Sequence, residues 1–105
     1  MPKQPATEQI AETAQQMLEG SLHYLVGAYR IAMLREEVGA YANDPDFMPF
    51  VAILSEIDSL NLSLAPTQWS HTFIAAHSEQ LDESVEWAKA ISLHQCQSLA
   101  VRFAS

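Results

Sequence analysis

The chain has 105 residues, 49% of them apolar, with thirteen Asp and Glu against five Lys and Arg, a formal net charge of -8. That length encloses one hydrophobic core, and that apolar content excludes disorder for all but the ends. The acidity excludes nucleic acid and anionic membrane surfaces as partners, because both attract clustered cations, and it would steer a basic partner in.

Residues 1–6 read as a flexible N-terminal tail, and residues 7–105 as a single helical domain. Thr7 is placed to cap a first helix whose apolar positions Ile10, Ala14, Met17 and Leu18 share one face. Gly20 supplies its stop, and Ser21 is placed to cap the next helix at once. The second helix, over about residues 21–38, carries two apolar stripes. One is Leu22, Leu25, Val26, Tyr29 and Met33; the other, on nearly the opposite side, is Tyr24, Ile31, Leu34 and Val38, with Gly27 beside it. A helix apolar on two faces is buried on both. Either it lies centrally in the domain, or Tyr24, Gly27, Ile31, Leu34 and Val38 form a self-association seam.

Gly39 ends that helix, and a loop with an Asn-Asp-Pro turn signal follows over 40–45. Asp46 is a predicted N-cap for a third helix, with Pro49 in its tolerant first turn and Phe47, Phe50, Val51, Leu54 and Ile57 at helical spacing. The alternation Leu60, Leu62, Leu64 has no second strand to pair with, so residues 59–66 are predicted as an ordered, partly buried connection. A short helical turn over 67–76 presents Trp69 and Phe73. Ser78 is the expected cap of a last helix over 79–103, with Leu81, Val85, Ala88, Ser92, Leu99 and Phe103 inside. Trp87, His94 and Val101 follow one another at heptad steps as a weaker second seam, expected to be partly buried rather than a binding site. The whole predicts an all-α fold, an antiparallel bundle of about four helices with an ordered loop between helices three and four.

Several chemistries lack their residues. The three glycines, Gly20, Gly27 and Gly39, are too dispersed for a phosphate-binding loop. None of His23, His71, His77 and His94 follows an acid by three residues, the spacing of di-iron bundles. Cys96, the single cysteine, is two residues from His94, so in a helix the two diverge, and it reads as a buried structural thiol. No metal, cofactor or catalytic residue is therefore assigned. Arg30 interrupts the longest apolar stretch, so none reaches the ~20 residues of a membrane span, and a cytoplasmic protein is expected.

Three stretches together resemble a family of small bacterial proteins classed as a domain of unknown function. They are Gly27-Ala-Tyr-Arg-Ile-Ala-Met-Leu-Arg-Glu-Glu-Val-Gly39, Asp44-Pro-Asp-Phe-Met-Pro-Phe-Val-Ala-Ile-Leu-Ser-Glu-Ile-Asp58, and Trp69. Here Ile57 stands where that family has Thr, and Asn61 where it has Pro. The resemblance implies an intracellular bacterial helical protein and no particular activity.

The leading functional expectation is a non-enzymatic protein-interaction or regulatory protein, self-associating as a homodimer. The alternative is a small-molecule-binding protein or enzyme with a pocket at Arg30, Arg35, Asp58 and Trp69. Asp58 is expected on the inner face of helix three, where its carboxylate either caps the turn at 59–62 or pairs with Arg30 or Arg35. Glu56 is expected on the solvent side.

Overall fold

The computed structural model describes residues 4–39 and 44–103. Every regular element among them is helical: α1 (Ala6–Glu19), α2 (Tyr24–Leu34), α3 (Met48–Ser59), a 3-10 turn (Pro66–Gln68), α4 (His71–Ala76) and α5 (Ser78–Arg102). Most of the loop expected over 40–45, and part of the N-terminal tail, lie outside the described residues. Residues 60–65 pair with no strand; Leu60 and Leu62 pack on the core, as a partly buried connection should.

The α1 stop follows its sequence signal. Gly20 adopts φ 80°, a left-handed conformation that glycine enters without steric cost, and the Ser21 N–H donates to the Gln16 carbonyl at 3.1 Å. The helix start differs from expectation. Pro5, not Thr7, precedes the first turn, and its carbonyl accepts from the Gln9 N–H at 3.0 Å. Ser21 does not cap α2 either, because its hydroxyl turns back to the Gln16 carbonyl. His23 takes that role: its Nδ1 accepts from the Leu25 N–H at 3.3 Å.

α2 is shorter than its apolar pattern. It ends at Leu34, and single turns continue to Gly39 through Glu37 N–H to Leu34 carbonyl and Gly39 N–H to Glu36 carbonyl bonds, both 3.1 Å. Glu36 and Glu37 explain the early stop, since paired acids oppose the negative end of the helix dipole. The Arg35 guanidinium closes the end by donating to the Ala32 carbonyl.

α2 packs against α1, α3, α5 and the 3-10 turn. Its supposed outer stripe is therefore interior: Tyr24, Gly27, Ile31 and Leu34 are buried and Val38 is partly buried against the same core. The self-association seam assigned to them is corrected accordingly, because the chain's own helices cover it. Met33, from the other stripe, is instead 53% exposed.

Two size matches allow this enclosure. A Cβ at Gly27 would overlap the Met17 side chain of α1 and stand 3.3 Å from Leu22 Cδ2. About 60° further round α2, the small Ser92 of α5 admits the hydroxyl end of Tyr24. Ser92 donates to the Ala88 carbonyl at 2.6 Å, so its one proton is used and Tyr24 O–H donates to Ser92 Oγ at 2.7 Å. Among the described residues no buried side-chain polar atom lacks a partner.

α3 begins at Met48 with Pro49 in its first turn, and Phe47 precedes it without a side-chain cap. Asp46, the expected cap, accepts instead from Ser98 Oγ at 3.3 Å and from Arg102 at 3.1 Å. Ser78 is likewise the first residue of α5 rather than its cap.

Replacing Gly27 by Ala should destabilise the fold by about 1–3 kcal/mol, because overpacking outweighs the gain in helix propensity of ~1 kcal/mol. In a double-mutant cycle, Met17→Ala should remove most of that penalty. Additive losses in denaturant unfolding would refute the contact.

Candidate functional site

The four residues expected to share a pocket are not brought together. Arg30 lines a hollow with Gln9, Glu12, Thr13 and Gln16 between α1 and α2. Arg35 closes the end of α2. Asp58 lines a separate hollow with Tyr29, Asn61 and Pro66. Trp69 stands in an aromatic row of its own.

Asp58 also departs from its predicted environment. It is exposed, and neither an ion pair nor a side-chain hydrogen bond to it occurs among the described residues. The turn at 59–62 is closed without the Asp58 carboxylate: the Asn61 N–H, at φ 57°, donates to the Asp58 carbonyl at 3.2 Å, and Ser59 Oγ donates to the Glu56 carbonyl at 2.7 Å. Phase explains the difference. Phe50, Ile53 and Ile57 are the buried positions of α3, which turns Asp58 outward, and it is Glu56 that is partly buried.

The aromatic row was not legible as a unit. His23 meets Trp69 edge-on with ring centroids 6.0 Å apart, Trp69 stacks on Phe73 at 5.8 Å, and Phe73 stacks on His77 at 4.2 Å. Trp69 Nε1–H donates to the Leu64 carbonyl at 3.0 Å, which ties the connection after α3 to the start of α4. His77 Nδ1 bonds the Phe73 carbonyl at 2.9 Å. Phe73 and His77 are four apart, a spacing that signals a helical contact; His23 reaches the row from a distant part of the chain.

His23 is electrostatically constrained. Burial holds its imidazole below the ordinary value of 6.5; Asp82 opposes this and Lys89 adds to it. The cap acts in the same direction, since Nδ1 accepts a hydrogen bond only while unprotonated. In the core, burial pushes the Tyr24 hydroxyl up to about 12 and the Cys96 thiol up to about 11. A thiol raised that far is a poor nucleophile at neutral pH, which suits a structural Cys96 bonded to the Ala14 carbonyl at 3.5 Å.

A second cluster holds α5 to the start of α3. Arg102 bonds Asp44 through both terminal nitrogens, at 3.3 and 3.2 Å, and Asp46 at 3.1 Å, while its guanidinium lies 4.8 Å from the Phe103 ring centroid. Arg102 beside Asp44 holds that carboxyl below its ordinary value. The pairs are partly solvated, and their geometry is structural, tying sequence-distant segments together.

The remaining candidate is a surface. On α5, opposite the buried Leu81, Ser84, Ala88, Ser92, Cys96 and Leu99, stand Trp87, Leu93 and Val101, which are 40%, 44% and 78% exposed. At 100° per residue they fall within about 120° of one another. Large apolar side chains gathered on one outer face mark a contact surface more often than scattered ones do. The heptad steps Trp87, His94, Val101 were visible in the sequence; that all three positions remain exposed was not.

Two outcomes follow from this geometry. Asp58→Ala should change stability by less than about 0.5 kcal/mol, as exposed positions do; a larger loss in denaturant melts would restore a structural role. For His23, the folded state holds the proton less tightly than the unfolded chain. Its contribution is therefore full above 6.5 and is lost as pH falls below that value. Between about pH 8 and pH 5, wild type should lose more stability than His23→Asn, which keeps a capping acceptor but does not titrate. Parallel stability–pH curves would refute the His23 account.

No family model, no curated protein and no solved structure matches this chain.

Proposed function

We propose that this chain is a non-enzymatic protein-interaction or regulatory domain whose contact surface is the outer face of α5. The observation that carries this reading is the exposure of Trp87, Leu93 and Val101 on one side of a helix whose other side is core. Burying such side chains against a partner would remove apolar area worth about 25 cal/mol per Å² from water, the usual driving force of association. The net charge of -8 adds long-range selection among partners without itself forming a contact.

The frame we assign is an antiparallel bundle of the four longer helices. It is supported by the packing of α1 on α2 and α5, of α2 on α3, and of α3 on α5. A rigid α5 of 25 residues presents the face on a regular element rather than on a loop.

Photo-cross-linking in cells that produce the chain tests the reading. A photoreactive residue in place of His94 should give a protein adduct, and the same residue in place of Glu36, on a different surface, should not. If position 94 yields no adduct, or no more than position 36, the outer face of α5 is not a contact surface.

A further inference from the structure

α5 divides sharply in charge. Its first part, residues 78–86, carries Glu79, Asp82, Glu83 and Glu86; residues 87–103 contain no Asp or Glu at all. The two bases of that second part are turned to other work. Lys89 Nζ lies 5.8 Å over the Tyr24 ring, and Arg102 is held by Asp44 and Asp46. Besides these two exposed bases, what faces outward along this stretch is Trp87, Ala90, Leu93, His94, Gln97 and Val101. Trp87, His94 and Val101 repeat every seven residues, with Ala90 and Gln97 at the intervening steps of three, the register of a helix-to-helix seam. Over those 14 residue steps the strip is about 21 Å long.

Charge narrows the choice of what can cover it. A highly acidic partner would be repelled from most of this molecule, and the other copy of this chain is such a partner. Two copies, each at -8, approach with least repulsion where neither presents acids. Acids stand on the other long elements that reach the surface: Glu8, Glu12 and Glu19 on α1, and Glu56 and Asp58 on α3. The second part of α5 is free of them. A strictly basic partner would instead be drawn to those acids and would gain nothing from an uncharged apolar strip.

We infer that the outer face of α5, from Trp87 to Val101, binds the same face of a second copy, with the two helices antiparallel. This deepens the interaction reading above and rests on it. The antiparallel sense follows from the same charge division. Parallel helices would set Glu79, Glu83 and Glu86 against their counterparts, and like charges side by side on packed helices are unfavourable. Antiparallel helices place each acidic part beyond the partner's acid-free part, oppose the helix dipoles, and bring the two His94 positions near the symmetry axis.

Sedimentation equilibrium of the purified chain tests this. The expected species is a dimer of the 11.7 kDa chain, and its Kd should fall as salt rises, because salt screens repulsion between the two acidic copies. Leu93→Glu and Val101→Glu lie at exposed positions, so helix content should be retained while Kd rises by at least ~100-fold, since each substitution sets two carboxylates in the seam. Met33→Glu, exposed on α2, should leave Kd unchanged. Under oxidation, His94→Cys should cross-link to itself and Glu83→Cys should not. A chain that remains monomeric at about 1 mM, well above the ~1 μM Kd of a modest complex, overturns the inference. So does a dimer that Leu93→Glu leaves intact, or one in which Glu83→Cys cross-links to itself. A monomer whose position 94 still cross-links to a different protein sinks the dimer alone; a monomer with no adduct sinks both readings.

Discussion

α2 has apolar side chains on opposite sides, and the rest of the structure is organised around enclosing it. Only a neighbour with its own backbone satisfied can lie against such a helix on more than one side, and helices meet that condition. The fit is set by exchange of volume between elements. Met17 fills the space that a Cβ at Gly27 would take, which draws α1 onto α2. Tyr24, about 60° further round the helix, reaches in to bond Ser92, which draws α5 onto the adjoining face. Interiors packed at the density of organic crystals give such pairs little freedom to move independently.

The polar groups carried inside by this arrangement are spent on one another. Tyr24 donates to Ser92, Ser92 to the Ala88 carbonyl, and Cys96 to the Ala14 carbonyl, so two helices are joined to α5 by bonds within the core. A tyrosine at about 12 and a thiol at about 11 do not ionise near neutral pH. The chemistry this interior offers is therefore packing. His23 differs, since it sits beside Trp69 at the edge of the core, where its cap depends on its being neutral.

α5 shows what the core leaves over. Its 25 residues at 1.5 Å each span about 37 Å, matching the longest 37 Å dimension of the molecule. Acids at its start complement the positive end of the helix dipole, while Arg102 near its end complements the negative end and anchors Asp44 and Asp46. The acid-free part keeps apolar side chains on the solvent side that intrachain packing does not explain.

The sequence by itself determined the all-helical class and the approximate place of the longer helices, because 3.6-residue periodicity and the glycine stop at Gly20 are local signals. It also determined that α2 must be buried on two sides, but not by what. Helix starts were misplaced at Thr7, Ser21, Asp46 and Ser78, since three of those helices begin without any side-chain cap and the fourth takes an uncommon imidazole cap from His23. The phase of α3 was misread by a fraction of a turn, enough to turn Asp58 out to solvent. Only the tertiary structure decided that Arg30, Arg35, Asp58 and Trp69 lie apart and that His23 joins Trp69. It alone decided that α5, and not α2, presents the uncovered seam. Those outcomes depend on which sequence-distant faces meet, and a local pattern of apolar residues says that a face will be covered without saying by which neighbour.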